Sequence, residues 1–150
     1  MPSPDTIKLL EESLLQAGEA AQHLGTSIER CKPFASSAPY NEEQLIELEA
    51  LTGRFARLSD LLVQKVLKTI HHLDKDIPGT IRDRILQAEK KGIIPSAEIL
   101  LDIRDVRNTI SHDYDGDSFT EIVLFVFQHR PFLFQGVQAA IEYSKKFSVI

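Results

Sequence analysis

Two arginines three residues apart, Arg104 and Arg107, followed by Asn108, Ser111, His112 and Tyr114, form the stretch of this 150-residue chain best equipped for chemistry. Read as one helix, the positions three and four away from Arg107 hold Arg104, Ile110, Ile103 and Ser111, and those around Arg104 hold Leu101, Arg107, Leu100 and Asn108. No carboxylate stands at intrahelical pairing distance from either cation, and two cations at this spacing repel by roughly 0.2–0.5 kcal/mol. The arrangement asks for an anion from elsewhere. An imidazole that titrates near neutrality beside a permanently charged guanidinium suits phosphodiester cleavage without metal: the His moves a proton and the Arg stabilises charge developing at phosphorus. On an ideal helix Arg104, Asn108 and His112 share one stripe, and Arg107, Ser111 and Tyr114 the neighbouring one. Arg107 and His112 then lie about 140° apart and roughly 7.5 Å along the axis. They converge only if the last turn unwinds, which Gly116 permits, or if a second subunit presents the same helix across a two-fold axis. The same residues also suit a structural or interface cluster without catalysis.

The string Arg107-Asn-Thr-Ile-Ser-His112-Asp-Tyr114 resembles the R-x-x-x-x-H-x-Y signature, with Asn after the Arg, of HEPN-domain proteins of the HepT type. These are the toxin halves of HepT/MNT toxin–antitoxin pairs. The resemblance covers residues 41 to 147, including a long helix with the string GRFARLSDLLVQKVLK, the motif helix and an apolar terminal helix. It implies a type VII-like toxin, a metal-independent endoribonuclease that works as a homodimer whose motif helices line a positive cleft. Arg107 and His112 would be the catalytic pair, with Asn108 orienting the site and His112 assisting attack of the ribose 2′-OH on the adjacent phosphate. Tyr114 would carry a separate role: the partner MNT-type nucleotidyltransferase antitoxin transfers AMP onto its hydroxyl and silences the RNase. A nucleotide placed beside Arg107 occupies the anion site and blocks RNA, which makes this physically reasonable. Arg104, added for its lack of a local carboxylate and not from the resemblance, and Ser111, within the motif string, join Asn108 as supporting, RNA-binding positions. The alternative is a non-catalytic HEPN-fold subunit that binds a nucleotidyltransferase partner or a nucleotide, and a third reading is a structural helical dimer.

Other chemistry-bearing clusters read as structural. Tyr114 outside the motif is a helix-end aromatic with a wet hydroxyl. The run Asp113-Tyr-Asp115-Gly-Asp117 invites calcium, but an EF-hand loop needs Gly sixth and Glu twelfth, whereas Gly116 is fourth and Leu124 twelfth. Adjacent His71 and His72 point in different directions on a helix and have no further ligand at metal spacing, so no metal and no cofactor are expected. Cys31 lacks a partner for nucleophilic catalysis, His23 and His129 stay unassigned, and Glu42, Glu43, Glu47 and Glu49 read as a solvated helix face.

The elements that must position the motif are helices. Asp5 through Leu24 shows helical spacing with Gly25 as a stop, and Gly25 to Tyr40 reads as a joint. Asn41 followed by Glu-Glu-Gln starts a helix of about 30 residues, roughly 45 Å long, that ends at Asp76-Ile-Pro-Gly. A shorter helix runs from Thr80 to Lys91 with apolar Ile81, Ile85 and Leu86, and Ser96 caps the motif helix. Ser118, with Glu121 three positions on, opens the last helix, which contains Pro131 as a kink or joint and continues to Tyr143. The expectation is one HEPN-like domain over residues 1–150, an all-α antiparallel four-helix up-and-down bundle with one additional short helix, residues 1–40 being its least defined part. The apolar surround of the last helix exceeds what one core needs, so a homodimer is the expected sink.

Composition sets the outer limits. Seventeen Lys and Arg against 22 Asp and Glu leave a net charge of −5, which argues against an extended nucleic-acid grip but not against a short basic site for RNA. A single Cys, no basic apolar leader and no apolar run of bilayer length point to a cytoplasmic protein with no membrane partner.

Overall fold

The computed structural model describes residues 3–110 and 116–147, which are helical throughout apart from their joints and include no strand. Helix α1 spans Pro4–Cys31 and α2 spans Glu42–Asp60. A π-helical segment, Leu61–Leu67, carries the same rod into α3 at Lys68–Leu73. Then come α4 at Ile81–Lys90, α5 at Ala97–Ile110 and α6 at Gly116–Ser144, closed by a 3₁₀ turn at Lys145–Phe147.

The helix starts follow from local hydrogen bonding. Asn41 Oδ1 accepts from the Gln44 backbone N–H at 2.9 Å, while Gln44 Oε1 accepts from the Asn41 N–H at 3.0 Å. Both donors lack an intrahelical acceptor, so the exchange satisfies groups the helix would leave bare. Thr80 and Asp83 repeat the device at α4, at 3.1 and 2.9 Å. At α5, Ser96 Oγ accepts from the Ile99 N–H at 3.2 Å, and Glu89 takes the Ala97 N–H at 2.7 Å.

Two expected boundaries move. Helix α1 passes through Gly25 to Cys31, because Leu24, Ile28 and Cys31 extend its buried stripe. A glycine costs a helix only about 1 kcal/mol, less than those three burials return. Residues before Asn41 therefore supply a full bundle helix rather than an appendage. Helix α6 already runs at Gly116, so Ser118 lies inside it and does not cap it; Asp117 supplies the negative charge in the first turn. The chain stays helical through Pro131.

Tertiary contacts give the topology. Arg30 pairs with Glu47 while Arg54 reaches the His23 carbonyl and Ser27, so α1 and α2 run antiparallel. Tyr40 meets Phe119, Phe55 meets Phe125 and Tyr143 meets Asp74, so α6 runs parallel to the α2–α3 rod. Lys91 bonds at the level of Asp74 and Arg107 at the level of Asp60, so the chain returns antiparallel through α5. The result is an up-and-down four-helix bundle of α1, the α2–α3 rod, α5 and α6, with α4 as the short addition.

Leu24, Leu48, Phe55, Leu62, Ile70, Leu100, Ile103 and Leu133 are buried completely at its centre. The apolar surface of α6 is largely taken up within the chain: Val123, Val126, Leu133, Val137 and Ala140 are buried, and Leu124 is its one large apolar side chain exposed among the described residues. The surplus that suggested a second subunit is thus smaller than the composition implied, because α1 covers part of it. Ile46, Ile81 and Leu86, which share the apolar spacing, face solvent.

A polar cluster fastens the far end of the rod. Lys91 is held by Asp74 at 2.8 Å and by Asp76, and Asp74 also takes Lys146 at 2.8 Å and the Tyr143 hydroxyl at 2.5 Å. Burial pushes the Asp74 carboxyl up, but hydrogen bonds from Lys146, Lys91 and Tyr143 outweigh it and bring it down to about 2. His71, buried beside them, faces the Arg84 carbonyl through Nε2 at 2.9 Å and Lys91 Nζ through Nδ1 at 2.7 Å. A carbonyl only accepts and an ammonium only donates, so the proton sits on Nε2 and the ring is neutral. Burial, with the Lys91 charge beside it, pushes its pKa below the ordinary value.

Phe55→Ala is expected to cost about 3–5 kcal/mol in urea unfolding, since it leaves a cavity where ring and Phe125 edge now meet. Stability is expected to fall in two steps on acidification. From about pH 6.5 downward the unfolded chain takes a proton that native His71 refuses; from about pH 4 toward 2 the unfolded chain protonates before native Asp74 does. Unfolding curves across pH should lose the upper step in His71→Gln and weaken the lower one in Asp74→Asn.

Candidate functional site

Helix α5 presents Arg104 and Arg107 toward the α2 end of the rod, and the anion they require comes from there. Asp60, the last residue of α2, receives Arg104 Nη1 on Oδ1 at 2.6 Å. It also receives Arg107 twice, Nε on Oδ1 at 2.7 Å and Nη2 on Oδ2 at 2.8 Å. The Arg107 contact is the two-pronged guanidinium–carboxylate fork, which fixes orientation as well as distance. Arg104 is buried, with only 9% of its surface exposed, whereas Arg107 is half-buried. A buried guanidinium is tolerated only with a partner, and Asp60 is that partner.

The electrostatics agree with the geometry. Burial pushes the Asp60 carboxyl up, but hydrogen bonds from Arg107 and Arg104 and their charges hold it below the ordinary range. The Asp60 hydrogen bond raises Arg107 further, so its guanidinium stays charged at any working pH. Two cations against one carboxylate leave the corner net positive.

An open cavity of about 360 Å³ adjoins Asp60 on the outer side of the rod, with Arg57, Gln64 and Lys65 on its walls. Neither Arg57 nor Lys65 pairs with a carboxylate among the described residues, so they add to the positive field. Asn108 follows on α5 and is exposed. Ser111, His112 and Tyr114 lie outside the described residues. The structure thus brings together Arg104 and Arg107, and adds Asp60, Arg57 and Lys65, which intrahelical counting does not find. The available signal was Asp60 itself, a lone carboxylate within Leu58-Ser-Asp-Leu-Leu-Val63, where every flanking side chain is buried.

Compared with protein-family models, curated proteins and solved structures, the chain matches none. The site therefore has to be judged on its own chemistry. Among the described residues no group of three or more His, Cys, Asp or Glu could hold a metal ion, and His71 has both ring nitrogens engaged. Cys31 is buried, and burial with the Glu47 charge pushes its thiol up to about 11, which leaves no thiolate for catalysis. No helix among the described residues is long and apolar enough to cross a membrane. Among the described residues, the arginine corner gathers two guanidinium groups on one carboxylate.

Asp60→Ala is expected to lower stability by about 2 kcal/mol, because Arg104 would be left buried without a counter-ion. As the native carboxyl is held low, this contribution is present above about pH 4 and lost as the pH falls through the native value. Urea unfolding of wild type and variant at pH 7 and pH 2.5 should show the gap close at the lower pH.

Proposed function

We propose that this chain is a metal-independent endoribonuclease of the HepT kind, with Arg107 and His112 as its catalytic pair and Tyr114 as the acceptor of a silencing AMP. The observation that carries the reading is the fixed guanidinium of Arg107. Asp60 orients it through Nε and Nη2, with no further hydrogen bond from Nη1 among the described residues, at the end of α5 that leads into the His112 and Tyr114 segment. Preorganised positive charge of this sort stabilises a phosphorane without reorganisation at the moment of reaction.

In this mechanism the ribose 2′-oxygen attacks the adjacent phosphorus as His112 accepts its proton. The bond from phosphorus to the 5′-oxygen breaks, a 2′,3′-cyclic phosphate forms, and the proton returns to the departing 5′-oxygen. Arg107, with Arg104 behind it, offsets the extra negative charge; Asn108 and Ser111 contact the substrate. Arg57 and Lys65 beside the 360 Å³ cavity suit the neighbouring nucleotide, whose size that space fits. RNA contact is short and local, in keeping with a chain of net charge −5. Two copies, their motif helices meeting across a two-fold axis, double the positive charge and form the working unit. An MNT-type nucleotidyltransferase transfers AMP to Tyr114, and the added phosphate occupies the arginine corner.

One observation favours a second reading. Asp60 engages two of the Arg107 donors internally, which suits a subunit that binds a nucleotidyltransferase or a nucleotide and cleaves nothing.

RNA incubated with purified protein in chelator separates them. Cleavage by wild type with a loss of at least about 100-fold in Arg107→Ala and His112→Ala supports the nuclease; equal residual activity in all three sinks it. Incubation with ATP and an MNT-type nucleotidyltransferase should add AMP to wild type and not to Tyr114→Phe, read by intact mass.

A further inference from the structure

A second cavity, of about 400 Å³, lies between α3, the loop of residues 74–80 and α4. It shares no lining residue with the cavity at Asp60. Its lining includes the basic side chains Lys68, His72, Arg84 and Lys90 and the exposed apolar side chains Ile77 and Leu86. Ile77 is 94% exposed, an unusual position for an isoleucine in a joint whose neighbours are engaged in caps and ion pairs.

The charges at this cavity do not balance. Its two carboxylates are committed elsewhere: Asp76 to Lys91, and Asp83 to the Thr80 N–H that starts α4. Among the described residues no carboxylate pairs with Lys68, Arg84 or Lys90. Arg84 carries the most weight. It is half-buried, it donates Nη1 to the Val63 carbonyl at 3.2 Å, and the charge that acts on it is another cation, Arg104. Burial and that like charge both press against its protonated form, so the guanidinium is held there at a cost that an anion would relieve.

We propose that this cavity binds a small amphipathic organic oxyanion, its head on Arg84, Lys68 and Lys90 and its apolar body against Ile77 and Leu86. A volume of about 400 Å³ falls in the range of small-molecule sites, and an apolar wall with a few convergent donors is their usual make-up. Neither a bare inorganic anion nor a neutral apolar molecule satisfies both walls. The proposal is independent of the nuclease reading, since it uses none of the motif residues.

Amide-resolved NMR of the full chain tests it, with phenyl phosphate and benzoate as probes, inorganic phosphate for charge alone and benzyl alcohol for the apolar body alone. Saturable shifts confined to residues 68–90, with at least one aromatic anion binding about ten-fold more tightly than phosphate and than benzyl alcohol, are expected. Arg84→Gln should weaken that binding about ten-fold. Because Arg84 also holds the Val63 carbonyl, the paired exposed substitutions Lys68→Ala and Lys90→Ala provide the same test without touching the core, and Arg107→Ala should leave binding unchanged. Absence of saturable shifts at residues 68–90, equal binding of phenyl phosphate, benzoate and phosphate, or full affinity in the lysine double variant would overturn the proposal.

Discussion

A buried guanidinium needs an anion, and Asp60 meets that need for Arg104 near the middle of the rod that α5 packs against. The carboxylate sits at the end of α2 and shares one oxygen between two arginines that lie one turn apart on α5. Sliding α5 by one turn, about 5.4 Å, would break all three hydrogen bonds together. The apolar contacts between helices tolerate small adjustments of register; a shared carboxylate does not. Net stability comes mainly from the buried apolar side chains.

The π segment begins at the residue after Asp60. Such a wide turn within a helix is rare and costs hydrogen-bond geometry, and in this rod its Val63 carbonyl is used by Arg84. Arg84, which uses that carbonyl, lies close enough to Arg104 to feel its charge. The far end of the rod is handled differently, with Asp74 and Asp76 balancing Lys91 and Lys146 around a neutral histidine. Charge is compensated where the rod meets the end of α6, and positive charge is in excess at Arg104 and Arg107.

That contrast gives the net charge of −5 a more local meaning. The acids are concentrated on exposed faces, such as Glu42, Glu43 and Glu49 on α2, where solvent screens them. Arg84, Arg104 and Arg107 are half-buried or buried, where their fields are screened less. A chain that is acidic in total can therefore present a local corner of positive charge.

Much of the fold was legible along the chain because its causes are local. Asn41, Thr80 and Ser96 announce helix starts through side-chain acceptors placed two or three residues from the N–H groups they satisfy, and the periodic leucines and isoleucines mark the buried stripes. Gly25 and Ser118 misled for the same reason: each is a strong local signal, outweighed in the folded chain by burial of Leu24, Ile28 and Cys31 and by the earlier start of α6. At the candidate site, the sequence by itself determined that Arg104 and Arg107 share a helix without a carboxylate in reach. Only the tertiary structure decided which anion answers them, since Asp60 lies 44 and 47 residues away and spacing carries no information at that range. The π segment and the uncompensated Arg84 belong to the same category. Both depend on how α4 and α5 pack against the rod, and packing between distant segments is settled by the whole core at once.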